Sequence, residues 1–245
     1  MPVGRGRGYN GSIPDILALT AWSYRSGLIK AYTLPYLDRI RAQLAPGSRI
    51  ALVTLEQDGF ALDEEARRRE QARLASRGVD WIPLPYARFG LRALWNAALG
   101  IARLAFLCRR RRIADLHCFG TPAGAQGYAL SILTGARLVL DSYEPHAEAM
   151  VETGTWKRTS LAFRILFPLE RLQSRRARAV IAVSEGMRDY ARSRYGVEFS
   201  RFFVKPACVD LELFKRDELE AARLRKALGL EGAVACVYAG KTGGI

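Results

Sequence analysis

An α/β fold, with a Rossmann-like parallel sheet carrying helices on both faces, is predicted by three observations. Short apolar runs alternate with segments of helical periodicity from Ile16 onward. The strand-like runs are largely apolar, as in strands covered on both sides. The last residues, 233 to 245, again read as a strand entering a glycine loop, which predicts the first strand of a second Rossmann-like domain.

The elements follow in order. Ile16 to Trp22 is an apolar run that ends in the loop Ser23-Tyr24-Arg25-Ser26-Gly27. Leu28, Tyr32, Tyr36 and Ile40 then recur at helical spacing up to the stop Pro46-Gly47. Ile50 to Leu55 is a second strand, Leu62 to Arg77 a charged helix closed by Gly78, and Val79 to Leu84 a third strand. Leu91 to Arg112 is a long helix, Asp115 to Phe119 a strand, Pro122 to Leu133 a helix capped near Gly135, and Arg137 to Leu140 a strand. After a long helical insertion come the strand Val180 to Val183, a helix with Ser184 as its expected N-cap ending near Gly196, and a last strand, Phe202 to Lys205, before Pro206. Ligands of such sheets bind at the carboxyl ends of the strands, so the loops there are the place to look for a site.

Composition sets the class of partner. Roughly 200 residues suit one doubly wound domain. The chain has 38 Lys and Arg against 24 Asp and Glu, a net charge of +14, so anionic partners are expected. Cys108, Cys118, Cys208 and Cys236 have no C-x-x-C spacing, which fits a reduced cytosolic chain rather than a disulfide frame or a zinc site. Residues 1–13 contain Arg and Gly but no apolar signal core, and read as a disordered lead-in.

Four motifs in sequence carry a resemblance: Ala-Val-Ile-Ala-Val-Ser-Glu-Gly-Met-Arg (179–188), Val-Lys-Pro-Ala-Cys-Val-Asp-Leu-Glu-Leu-Phe (204–214), Leu-Arg-Lys-Ala-Leu-Gly-Leu (224–230) and Val-Tyr-Ala-Gly-Lys (237–241). Together with Tyr24-Arg25-Ser26-Gly27 and Leu140-Asp141-Ser142-Tyr143-Glu144-Pro145-His146, the chain resembles family-four glycosyltransferases of the GT-B architecture. The resemblance implies an acceptor-side domain over 14–206, a linker and helix over 207–232, and the severed first strand of a donor domain over 233–245. It also implies a retaining, metal-independent transfer from a nucleotide sugar, which serves as donor substrate with no further cofactor, to a carbohydrate or lipid-linked acceptor. Two departures stand out. The usual Pro-Asn-Gly-Val-Asp is here Pro206-Ala207-Cys208-Val209-Asp210, and the donor domain's paired glutamates would lie beyond Ile245.

Sugar transfer builds oxocarbenium character at the anomeric carbon and negative charge on the departing diphosphate, so backbone amides and a cation are needed at the phosphates. Gly27, Gly240, Lys241, Gly243 and Gly244 are the candidates, although Gly27 also suits an ordinary tight turn and Lys241 a solvated surface group. His146 is the catalytic candidate, and its place by the resemblance is near the reacting sugar. Asp141 or Glu144 could take that place instead, and a local hydrogen bond at a helix start is the simpler role for His146. Tyr24, Ser26, Asp141, Tyr143 and Glu144 are expected in the acceptor-side loops. His117 alternates with apolar neighbours within a strand and reads as satisfied inside the sheet. No Asp-x-Asp and no metal-ligand spacing is present.

The basic excess is organised. Arg92, Asn96, Arg103 and Arg110 fall within roughly 40° of arc at ~100° per residue, beside a wide apolar arc, and the run ends in Arg109-Arg110-Arg111-Arg112. Lys157, Arg164, Arg171, Arg175 and Arg178 form a second stripe beside Trp156. Two readings stand for both: apolar arcs packed on the sheet with solvated arginines, or contact with an anionic membrane surface, peripheral on its cytoplasmic side. Nucleic acid is not expected, since the aromatics are not interleaved with arginine and no recognition motif occurs. A non-catalytic module binding acceptor, lipid or partner remains the alternative to an enzyme.

Overall fold

A computed structural model describes residues 16–86, 90–206, 211 and 215–238. Seven strands, β1 (Ile16–Thr20), β2 (Ile50–Glu56), β3 (Val79–Pro85), β4 (Asp115–Phe119), β5 (Arg137–Tyr143), β6 (Ala179–Ala182) and β7 (Phe202–Val204), form one sheet. Their order is β3-β2-β1-β4-β5-β6-β7, and every neighbouring pair is parallel. The helices are α1 (Leu34–Gln43), α2 (Glu64–Ser76), α3 (Leu91–Arg110), α4 (Thr121–Thr134), α5 (His146–Glu152), α6 (Leu161–Arg176), α7 (Gly186–Tyr190) and α8 (Glu218–Ala227). A π-turn, Ile29–Thr33, precedes α1, and another, Ala191–Tyr195, follows α7.

The two faces of the sheet bury separate cores. On one face Leu17, Val53, Leu116, Cys118, Leu138 and Val180 meet Leu104 and Cys108 of α3, Leu130 of α4 and Tyr195. On the other, Ala18, Ile50, Leu52, Trp81 and Phe119 meet Leu34 and Leu37 of α1 and Leu74 of α2. Burying one such leucine contributes about 1.5–3 kcal/mol. α4 lies close against the sheet because Gly124 and Gly127 have no side chains: a Cβ at Gly127 would collide with the Cys118 sulfur, and one at Gly124 with Gln173. Gly135 ends α4 in the left-handed region at φ +74, its N–H bonding back to Ser131 O at 3.0 Å.

Several expectations shift. β1 ends at Thr20 rather than Trp22, and β5 runs on to Tyr143, past Leu140. Ser184 does not cap α7, whose N-cap position is Glu185 and carries no side-chain hydrogen bond. Residues 234–238 form no strand, and Val234 and Val237 are 95% and 87% exposed, because an extended segment gains no ladder hydrogen bonds unless a neighbouring strand pairs with it. Residues 1–13 of the expected lead-in, and 239–245 of the expected glycine loop, lie outside the described residues.

Candidate active-site cleft

The strand order reverses between β1 and β4. From β1 the chain turns to α1 on one face, and from β4 it turns to α4 on the other, so the two loops diverge and open a crevice at the carboxyl edge. Each wall of the crevice is fixed by hydrogen bonds. In the first loop, Ser23 Oγ donates to Leu55 O at 3.0 Å and accepts from Gln57 N at 2.9 Å, which staples the loop to the end of β2. Ser26 Oγ accepts from Leu28 N at 3.4 Å where the helical stretch begins. Gly27 is exposed, with no atom within 4 Å of the place a Cβ would occupy, so its backbone is open to a ligand. On the far wall, Gly120 (φ +78) gives its N–H to Asp141 O at 2.8 Å, and Thr121 Oγ1 donates to Glu144 O at 2.6 Å.

Behind this crevice lies a buried polar cluster around Asp141. Lys205 Nζ stands 2.6 and 2.7 Å from its two carboxylate oxygens, His117 Nε2 2.9 Å from Oδ2, and Tyr32 OH 3.0 Å from Oδ1. The Ser142 N–H adds a bond of 2.6 Å. Burial works to raise the Asp141 pKa, but the hydrogen bonds and charges of His117 and Lys205 outweigh it and hold the carboxyl below its ordinary range. The Lys205 ammonium also sits 3.6 Å from the Tyr36 ring centroid and 4.6 Å from that of Tyr32. Tyr32 is delivered by the π-turn, a distortion common at functional sites.

A β-bulge makes this cluster possible. The pairing of β5 with β6 steps from Leu140↔Val180 to Tyr143↔Ala182, three residues against two, and Ser142 takes the left-handed conformation at φ +52. The extra residue lets Asp141 and Ser142 both reach Tyr32, whose hydroxyl accepts from Ser142 Oγ at 2.9 Å. It also returns Tyr143 to the opposite core, where its hydroxyl meets Ser174 at 2.9 Å.

The expected acceptor-loop residues therefore separate. Tyr143 lies in a strand and is buried, so it has no face for an acceptor. Asp141 is strand-borne as well, 2% exposed and fully engaged, which suits support rather than substrate contact. Tyr24 is buried too, stacked on Trp81 at 4.1 Å between centroids with its hydroxyl 2.6 Å from Glu70; burial, then Glu70, pushes that hydroxyl up to about 12. Glu144 is exposed, and Ser26 and His146 are half-buried. His146 is the first residue of α5, its side chain 21% exposed, with Nδ1 3.2 Å from Glu144 Oε1 and its ring edge-on to Trp156 at 6.0 Å. Gly240, Lys241, Gly243 and Gly244 lie outside the described residues. Among the described residues, no three His, Cys, Asp or Glu side chains converge as metal ligands.

Beneath α5 lies a second carboxylate that the sequence did not mark. Glu170 of α6 accepts from Ala147 N at 2.9 Å and from Tyr195 OH at 2.6 Å, and no cation among the described residues bonds to it. Desolvation dominates and pushes its pKa up to about 7, against the lowering effect of those two donors. Its neighbour Glu148 is paired instead, with Arg194, Arg158 at 3.4 Å and Tyr190 at 2.6 Å.

The basic surface is also rearranged. Arg109 donates to Leu133 O at 2.6 Å and Arg111 to Asp80 at 2.6 Å, so both are tied to the protein's own surface, while Arg110 and Arg112 are exposed. Trp156 and Lys157 precede α6 and Arg178 follows it, so they are not part of its stripe; Arg164 and Arg171 are on the helix and exposed.

A doubly wound domain with a crevice at its switch point defines a Rossmann-like α/β scaffold. The model of the glycosyl transferase 4-like domain matches residues 35–208, and the chain belongs to that family. Among solved structures, sucrose-phosphate synthase from Thermosynechococcus elongatus is similar with a TM-score of 0.62 at 14% identity, covering 88% of this chain and 53% of that one. HepE from Anabaena, in complex with UDP, gives 0.55 at 17% identity, covering 88% and 50%. A glycosyltransferase from Rickettsia africae gives 0.51 at 11%, covering 88% and 50%. The fold is thus the Rossmann-like domain of GT-B glycosyltransferases, and the chain spans about half the length of these neighbours. No curated protein matches it.

Proposed function

We propose that this chain supplies the acceptor-side half of a retaining, metal-independent glycosyltransferase that moves a sugar from a nucleotide sugar to an acceptor. The family match over residues 35–208 carries this reading. It is supported by HepE having been captured with UDP and with UDP-glucose. In this scheme the bond from the anomeric carbon to the diphosphate breaks as a bond to the acceptor oxygen forms, the acceptor's hydroxyl proton passes to the departing phosphate oxygen, and charge develops at both ends. The open backbone at Gly27, at the start of a helix, offers its N–H to the departing phosphate. Gly240, Lys241, Gly243 and Gly244 complete that contact from the donor side. His146 stands beside the reacting sugar, its imidazole oriented by Glu144. Ser26 and Glu144 line the acceptor path, while Tyr24, Asp141 and Tyr143 hold the walls rigid.

The domain division expected from the sequence belongs to the same proposal: acceptor domain to residue 206, linker and helix to 232, donor domain from 233. Transfer assays with a panel of nucleotide sugars test it, run on the 245-residue chain and on a form carrying a second α/β domain after residue 245. Acceptor binding by both and turnover by the longer form alone are expected. Robust turnover by the 245-residue chain would overturn the division into halves, and acceptor binding without turnover by either form would favour a non-catalytic binding module.

A further inference from the structure

The helical layer over the α3 side of the sheet has an outward surface that no part of the described chain covers. α4 lies between α3 and α6, and an apolar groove of about 480 Å³ runs over it, lined by Ile101 of α3, Tyr128, Ala129 and Ile132 of α4, and Leu169 of α6. On α3, Leu91, Leu94, Trp95, Leu99 and Phe106 are all more than half exposed. At ~100° per residue they share an arc of roughly 140°, and Arg92, Arg103 and Arg110 fall along one border of it. On α6, Leu161, Ile165 and Leu172 are exposed and share a narrower arc, bordered by Arg164, Arg171 and Arg175. None of these six arginines makes an ion pair among the described residues.

The charge on this layer is of one sign. α3 and α4 contain no Asp or Glu, and the single acidic residue of α6, Glu170, is fully buried. A second copy docked face to face would bring arginine against arginine with no carboxylate to answer it. An anionic lipid surface answers both features at once, taking leucine and tryptophan into the acyl boundary and arginine at the headgroups.

Connectivity fixes how such a surface meets the crevice. α3 begins six residues after β3 ends, α4 two residues after β4, and α6 ends three residues before β6 starts, so all three point their N-termini to the carboxyl edge. The exposed Leu91, Leu94, Trp95 and Leu161 therefore lie at the crevice end of the layer. The geometry points to a bilayer-docking face formed by α3, α4 and α6, which seats the crevice at the headgroups of an anionic membrane and makes the acceptor a lipid-borne saccharide or phosphate. The acceptor class rests on the transfer reading above; the docking face does not.

Sedimentation of the 245-residue chain with vesicles of phosphatidylcholine, with and without about 30% phosphatidylglycerol, tests the face without needing turnover. Binding to the anionic vesicles alone, weakened by high salt, is expected. Arg164→Gln/Arg171→Gln/Arg175→Gln should lower partitioning about a hundredfold, from roughly fivefold per charge near the surface. Trp95→Glu/Phe106→Glu should lower it at least about tenfold through lost apolar insertion. Both variants change exposed side chains, and unaltered circular dichroism and melting confirm their folding. Equal binding to neutral vesicles, a soluble dimer that Trp95→Glu dissociates, or retention by a DNA or RNA duplex in place of vesicles would each overturn the proposal. Vesicle binding with no transfer to any acceptor would leave the docking face standing and sink the transfer reading alone.

Discussion

Asp141 and Glu170 stand at the same edge of the sheet, equally hidden from water, and their carboxyl pKa values shift in opposite directions. Asp141 is met by the Lys205 ammonium and by His117, so its carboxyl stays ionised below the usual range despite burial. Among the described residues Glu170 accepts hydrogen bonds from a tyrosine hydroxyl and a backbone amide and from no cation, and burial wins, raising it to about 7. The difference teaches that burial alone does not set the charge of a carboxylate; a contacting cation does. It also divides the labour at the crevice. The Asp141 cluster ties β4, β5, β7 and the π-turn before α1 into one rigid wall, whereas Glu170 caps a short helix whose first residue is His146.

The largest expected effect comes from breaking the first cluster. Lys205→Met leaves Asp141 charged without its cation and should cost about 3–5 kcal/mol in denaturant unfolding. Adding Asp141→Asn should recover a substantial part, because the orphaned charge is gone. If the single variant unfolded like wild type, the ion pair would not be holding the wall. The depressed Asp141 pKa sets a sign as well: its contribution is complete above the ordinary aspartate range near pH 4 and is lost as pH falls below it.

Glu170 should show the reverse. Its folded-state pKa lies above that of the unfolded chain, so between about pH 4.5 and 7 the folded form keeps a proton that the unfolded form releases. Stability contributed by the neutral carboxyl is present below that window and falls as pH rises through it, by about 3 kcal/mol in all. Glu170→Gln should flatten the pH profile and raise stability at pH 8; an unchanged slope between pH 5 and 8 would assign the dependence elsewhere. Tyr195→Phe, which removes one donor from Glu170, should cost about 1 kcal/mol and move the Glu170 midpoint still higher, a shift readable by the same pH series. Smallest is Ser142→Ala, which deletes the hydroxyl bonded to Tyr32 and should cost about 0.5–1 kcal/mol while leaving the pH profile near pH 7 unmoved.

Most of the fold was legible because the strands are mostly apolar runs between helical segments and Gly78, Gly135 and Gly196 end helices in left-handed turns where expected. The crevice was legible in part. Asp141 stood out as a polar residue after an apolar run, but its partners are 24, 64 and 109 residues away in sequence, so only the folded sheet brings them together. The bulge at Ser142 leaves no mark in composition, and without it Tyr143 reads as a loop residue. Glu170 was hidden for another reason: it sits in a helix rich in arginine, where an acidic residue reads as surface charge, and only the packing of α5 and Tyr195 over it shows otherwise. In sequence Lys205 reads as the end of a strand, and its role depends on where β7 lies relative to β5.

The most direct test of the central claim is the rate of sugar transfer with His146 replaced by alanine, measured in the form that carries a second α/β domain after residue 245. A fall of about 10²–10⁴-fold in kcat with folding intact is the predicted result. Turnover within a few-fold of wild type would contradict it and remove His146 from the reacting site.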